Sequence, residues 1–125
     1  MKANHMRSLT TALLVCLALA ACKGQPPTSD AITGGNPQRG LAAIQRYGCG
    51  ACHRINGVPG AYGTVGPTLE NIGERAYVAG TLPNSPDNLQ RWIRFPQRVV
   101  PGNAMPDLDV SETDARDIAA YLYHQ

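Results

Sequence analysis

The sequence predicts an all-α domain of three main helices joined by long glycine- and proline-rich loops. Two observations carry this. Three separate segments each begin with a capping residue and then repeat apolar side chains at helical spacing, and no stretch alternates with the period of two that a half-buried strand requires. Loop content this high is unusual for a simple bundle and makes sense if the loops wrap something.

The first segment opens with Asn36 and Pro37, a cap followed by a first-turn proline. Gly40, Ala43, Ile44 and Tyr47 then share one face, giving a helix from about Pro37 to Tyr47 that Gly48 ends. From Gly57 to Gly66 a glycine stands at every third position (Gly57, Gly60, Gly63, Gly66). So few repeats cannot sustain a collagen triple helix, and the stretch reads as a loop. A second helix starts at Ser85 with Pro86 in its first turn and Asp87 near its positive end. It runs to about Phe95 with Leu89, Trp92 and Ile93 inward, and Pro96 stops it. The last helix opens with Ser111 and Asp114, an aspartate version of the capping box, presents Ala115, Ile118, Ala119 and Leu122 on one stripe, and runs to the chain end.

Ahead of these elements lies an export address. Lys2 and Arg7 precede an apolar run, Leu9 to Leu19, too short to span a bilayer, as in a signal peptide. Its end, Leu19-Ala20-Ala21-Cys22, resembles the lipobox of bacterial lipoproteins, which implies residues 1–21 as signal peptide and Cys22 as the lipidated first mature residue. Ordinary cleavage after Ala18-Leu19-Ala20 is the alternative. Residues 22–35 have the composition of a flexible tether, leaving 36–125 as the folded domain. The protein is thus expected to be exported and held by lipid at the periplasmic face of a bacterial membrane, inner or outer.

The formal net charge is +2, and without Lys2 and Arg7 nine basic side chains face nine acidic ones. Arginines 39, 46, 54, 91, 94 and 98 precede an acidic tail of Asp107, Asp109, Glu112, Asp114 and Asp117. This is either an orienting dipole or the solvated faces of two helices. No basic cluster is interleaved with aromatics, so nucleic acid is not an expected partner.

The chemistry is carried by Cys49-Gly50-Ala51-Cys52-His53, the C-x-x-C-H pattern of covalent haem attachment. Two thiols in one turn add across the two vinyl groups of haem, and the adjacent histidine falls beneath the iron. A thioredoxin-like redox pair would want a βαβ context, and structural zinc a second pair of ligands; neither is present. Once Met1 and Met6 leave with the signal peptide, Met105 is the remaining thioether. It lies in Pro101-Gly102-Asn103-Ala104-Met105-Pro106, which proline and glycine keep out of a helix. Met105 is therefore the expected sixth ligand, with His124 as rival. A His/Met pair raises the reduction potential relative to two histidines, which suits a carrier feeding an oxidising acceptor.

From Asn36 to Tyr123 the chain resembles class I cytochromes c, and the resemblance implies the cytochrome c fold around one haem c bound through Cys49 and Cys52. Gly66-Pro67-Thr68-Leu69 is similar to the family turn whose proline carbonyl accepts a hydrogen bond from the axial histidine. It implies that Pro67 orients His53 and that Leu69 packs on the haem. Arg75 and Trp92 sit where the family meets a haem propionate, and Gly40 with Tyr121 where its first and last helices cross. Ala104 stands where mitochondrial relatives carry lysine, so arginines must supply any positive face. The run from Pro101 to Tyr123 resembles small bacterial cytochromes and the cytochrome domains fused to haem-copper oxidase subunits. The implied function is single-electron shuttling between membrane-bound respiratory partners, with delivery to a terminal oxidase or reductase and no enzymatic activity. Two rival readings are a haem enzyme or gas sensor in which Met105 leaves the iron, and an electron-accepting subunit of a dehydrogenase.

Overall fold

The computed structural model describes residues 29–125, so the expected signal peptide, the lipidation at Cys22 and the start of the tether lie outside the described residues. Helix α1 spans Pro37–Arg46, with Asn36 Oδ1 accepting the Arg39 N–H at 2.9 Å and a proline in the first turn. α2 spans Pro86–Arg94 and is capped by Ser85. α4 spans Glu112–Tyr123; Ser111 Oγ accepts the Asp114 N–H at 3.1 Å and its hydroxyl donates to Asp114 Oδ2 at 2.8 Å. In each case a short polar side chain satisfies a helix N–H that has no intrahelical partner.

The sequence reading differs from the structure at three places. Pro96 ends α2 but also opens a further short helix, α3, Pro96–Val99; a residue that cannot continue a helix fits the first turn of the next. Tyr77–Val78 (β1) and Leu82–Pro83 (β2) form an antiparallel ribbon, too short to leave a period in the sequence. Its turn places Ala79 at φ +53° and Gly80 at φ +69°, the left-handed pair that a tight hairpin favours. Third, the described end of the expected tether is packed from Asp30 onward. Asp30 Oδ1 accepts from the Thr33 N–H and hydroxyl, each at 2.7 Å, and its Oδ2 meets His124 Nε2 at 2.6 Å. His124 is thereby engaged with the N-terminal segment.

α1 and α4 cross closely. A β-carbon on Gly40 would fall well inside 3.0 Å of the Asp117 carbonyl oxygen, and one on Gly35 would meet the Arg116 carbonyl just as closely. The crossing is locked by a buried charge. The Asp117 carboxylate accepts the Asn36 N–H at 2.7 Å and the Arg39 Nε and Nη2 at 2.6 and 2.9 Å. A carboxylate so enclosed is tolerable because its oxygens are met by donors. Below it, Ala43 and Ile44 of α1 and Leu89 and Ile93 of α2 join Ala115, Ile118, Ala119 and Leu122 of α4 in one core. Tyr121 extends the arrangement by donating its hydroxyl to the Asn56 carbonyl at 2.8 Å, and Tyr123 donates to Asn84 Oδ1 at 2.8 Å.

Two carboxyls in this frame are held below their ordinary value of 3.8. For Asp114 the cause is the hydrogen bond from the Tyr47 hydroxyl first, then Ser111 and Arg46. For Asp30, burial alone would raise it, but the Thr33 hydrogen bonds and His124 more than offset that. A carboxyl with a depressed folded-state pKa stabilises the fold fully above its unfolded value and loses that contribution as pH falls through the folded value. Thermal melting is therefore expected to drop steeply below about pH 4, and Asp114→Asn to flatten the acid limb. An acid limb unchanged in that variant would refute the assignment.

Candidate haem site

Gly48, at φ +70°, turns the chain out of α1 into a tight turn at Cys49–Ala51. The Cys52 and His53 N–H groups both return to the Cys49 carbonyl, at 3.2 and 3.0 Å. That single turn delivers two free thiols and an imidazole to one cavity of about 460 Å3. Burial pushes the Cys49 thiol above its ordinary value. Among the described residues no three His, Cys, Asp or Glu side chains cluster so as to hold a metal ion by themselves.

The glycine-rich loop lies back against this turn. The Gly63 N–H donates to the Gly50 carbonyl at 3.1 Å, Gly66 to Cys52 at 2.8 Å and Leu69 to Arg54 at 2.8 Å. The period-three glycines answer separate demands. Gly57 and Gly60 have positive φ, Gly63 passes against the Ala51–Cys52 backbone, and Gly66 lies against the His53 ring, where a β-carbon would overlap the imidazole. Beyond Gly66 the Pro67 carbonyl stands 2.7 Å from His53 Nδ1. A carbonyl only accepts, so Nδ1 carries a proton, and the position left for a lone pair is Nε2.

The other expected residues line the same cavity: Leu69 and Arg75 below the loop, Trp92 from α2 and Met105 from the segment after α3, among walls that include Ile44, Leu89, Ile118 and Leu122. Arg75 also spends Nη2 on the carbonyls of Thr68, at 2.5 Å, and Glu70, at 3.1 Å, so it ties the loop together as well as facing the cavity. Sequence reasoning missed Asn84, whose Nδ2 holds the Ile72 and Arg75 carbonyls at 2.7 and 2.8 Å, and the amides of Gln97 and Asn103 around Met105. Their one signal is position: carboxamides beside irregular chain, where backbone groups need side-chain partners.

The profile of the cytochrome c family matches residues 37–125, which takes in this whole cavity. The chain belongs to the cytochrome c family. Its all-α fold, its Cys-x-x-Cys-His turn and its apolar cavity are those of a class I c-type cytochrome, an electron-carrying protein of a family that binds haem c covalently. This cytochrome is 40% identical over 85 residues to cytochrome c oxidase subunit 2 of Alkalihalophilus pseudofirmus, covering 67% of this chain and 24% of that protein. Subunit 2 of Bacillus subtilis is 31% identical over 84 residues, covering 62% and 24%. The same subunit of a Bacillus species is 35% identical over 65 residues, covering 50% and 18%. The chain thus spans no more than about a quarter of the length of these relatives. No solved structure matches it.

Proposed function

We propose that this cytochrome shuttles single electrons at the periplasmic face of a bacterial membrane through one haem c, joined to Cys49 and Cys52 and ligated by His53 and Met105. The observation that carries the reading is the convergence of two free thiols, an imidazole with its Nδ1 committed to Pro67, and a thioether on one apolar cavity. The residues fit the group: the cavity volume falls in the range of about 300–1,000 Å3 typical of ligand sites, and the donor set is the one such an iron requires. When bound, the haem supplies a one-electron Fe(III)/Fe(II) couple. The protein supplies the rest.

Pro67 holds His53 in one tautomer and ring orientation and makes its Nε2 a stronger donor. Met105 offers a soft thioether that favours the reduced metal and raises the potential. Leu69 and the aliphatic walls exclude water from the cavity, while Arg75 and Trp92 offer N–H donors to inward carboxylates of the cofactor. His53 and Met105 would together hold both free positions of the iron and leave none for a substrate, which supports a carrier rather than an enzyme. The kinship with oxidase subunits supports a membrane-bound haem-copper oxidase as acceptor, other membrane reductases or dehydrogenases being the alternatives.

A redox titration of the purified holoprotein, with carbon monoxide added to the reduced form, tests the ligand pair. A c-type spectrum, a positive potential and no carbon monoxide adduct are expected. Met105→Ala should lower the potential by on the order of 100 mV or more, within the span of about 0.8 V that axial ligands control, and open the iron to carbon monoxide. An unchanged potential would show that another residue binds. We further propose lipid anchoring at Cys22. Cys22→Ser is expected to move the protein from membrane to soluble fractions, and continued membrane retention would defeat it.

A further inference from the structure

Between Val100 and Pro106 the chain forms neither helix nor strand, so its backbone polar groups depend on side chains. Two carboxamides meet most of that need. Gln97 Nε2 donates to the Asn103 carbonyl at 2.9 Å and the Met105 carbonyl at 2.7 Å, while its Oε1 accepts the Gly102 N–H at 3.1 Å. Asn103 closes the loop from inside: its Nδ2 donates to the carbonyls of Pro96 and Val100 at 3.0 and 2.6 Å, and its Oδ1 accepts the Met105 N–H at 2.7 Å. The base of this clamp is itself fixed. Gln97 lies on α3, one residue after the buried Pro96, and the Phe95 ring is covered by the guanidinium groups of Arg94 and Arg98 at 4.7 and 4.6 Å.

We propose that Gln97 is a positioning residue for Met105: by holding the Met105 carbonyl from α3 it sets the reach of the thioether into the cavity and governs how firmly Met105 keeps the sixth position. The inference rests on the His53/Met105 reading. Hydrogen bonds to the backbone on both sides of Ala104 leave the loop few conformations, so the sulfur is presented at small further entropic cost. Without the Nε2 donor, two half-buried carbonyls must turn to water, and the conformations that satisfy them carry Met105 out of the cavity.

The test uses the holoprotein and three variants. Gln97→Glu keeps the acceptor for Gly102 but sets an anionic oxygen against both carbonyls; Gln97→Met fills the same space with no donor. Both are expected to weaken the hold of Met105 about tenfold, equivalent to about 1.4 kcal/mol, so that the reduced protein forms a carbon monoxide adduct that the parent does not. The far-red ferric charge-transfer band of thioether ligation should weaken while the covalent haem spectrum persists. Met105→Ala, measured alongside, must lose the band and bind carbon monoxide; if it does neither, the ligand reading itself fails. If Met105→Ala behaves so and both Gln97 variants retain the parent band and carbon monoxide response, the positioning role is overturned. It is equally overturned if they lower only the melting temperature.

Discussion

Gly66→Ala is expected to disable the site by displacing its histidine. The added carbon would overlap Cε1 and Nδ1 of His53, and both sides are tied in place. The loop is pinned by the Gly66 N–H on the Cys52 carbonyl at 2.8 Å, and the imidazole by Nδ1 against Pro67 at 2.7 Å. Relief requires breaking one of these bonds, and either break leaves His53 misaimed. Gly66 does not lie at positive φ, so alanine meets no backbone strain there and the whole effect is contact. The expected result is a loss of about 3 kcal/mol or more, the upper range of overpacking, with a severalfold drop in yield of covalently loaded protein. Gly60→Ala is the control: φ is +78° and nothing lies within 4 Å of the new carbon, so the cost is only about 1–2 kcal/mol of left-handed backbone. Equal behaviour of the two variants would remove the contact argument.

The parts of this fold that were legible in the sequence have causes that lie close together along the chain. Asn36, Ser85 and Ser111 cap helices because each side chain reaches an N–H three residues on. The Cys49–His53 turn is local for the same reason. What was not legible depends on partners far apart. Asp30 reads as part of a polar tether until its carboxylate is seen against His124, 94 positions away. Nothing periodic marks such a pair, and Asp, Thr and Gly are also what a free linker contains. The ribbon at 77–83 is missed because two residues per strand carry no alternation. The braces around Met105 are missed because the irregularity that identifies the loop hides what holds it. The glycine period is the instructive case: a regular spacing arose from unrelated demands, positive φ at two positions and close backbone or ring approach at two others.

The charge pattern resolves in the same way. Arg39 is spent on Asp117, Arg46 on Asp114, and Arg94 and Arg116 on Glu112. Half of the arginine-to-acid asymmetry is therefore cancelled within the fold: Arg39 and Arg46 tie α1 to α4, and Arg94 ties α2 to α4. This leaves less net dipole for steering than the linear sequence implies. Val65 and Tyr77 stand as exposed apolar side chains beside the cavity.

Gly40→Ala is the second large effect, and its sign separates two kinds of stability. Alanine is the better helix former by about 0.8–1 kcal/mol, so a peptide of α1 carrying the change should gain helicity. In the protein the same methyl overlaps the Asp117 carbonyl oxygen and presses on Tyr121 Cβ. Asp117 cannot slide away, because its carboxylate is bound to the Asn36 N–H and the Arg39 guanidinium on α1 itself. The helices must separate, and the separation travels. α1 leads through Tyr47 and Gly48 into Cys49, while α4 contributes Ile118 and Leu122 to the cavity wall. The expected outcome is a net loss of about 2–3 kcal/mol, which for a domain of this size lowers the melting temperature by roughly 10–20 °C, with broadened haem spectra. An unchanged or raised melting temperature would mean that α1 and α4 have slack at their crossing. The close approach would then be a consequence of glycine at this position rather than the reason for it.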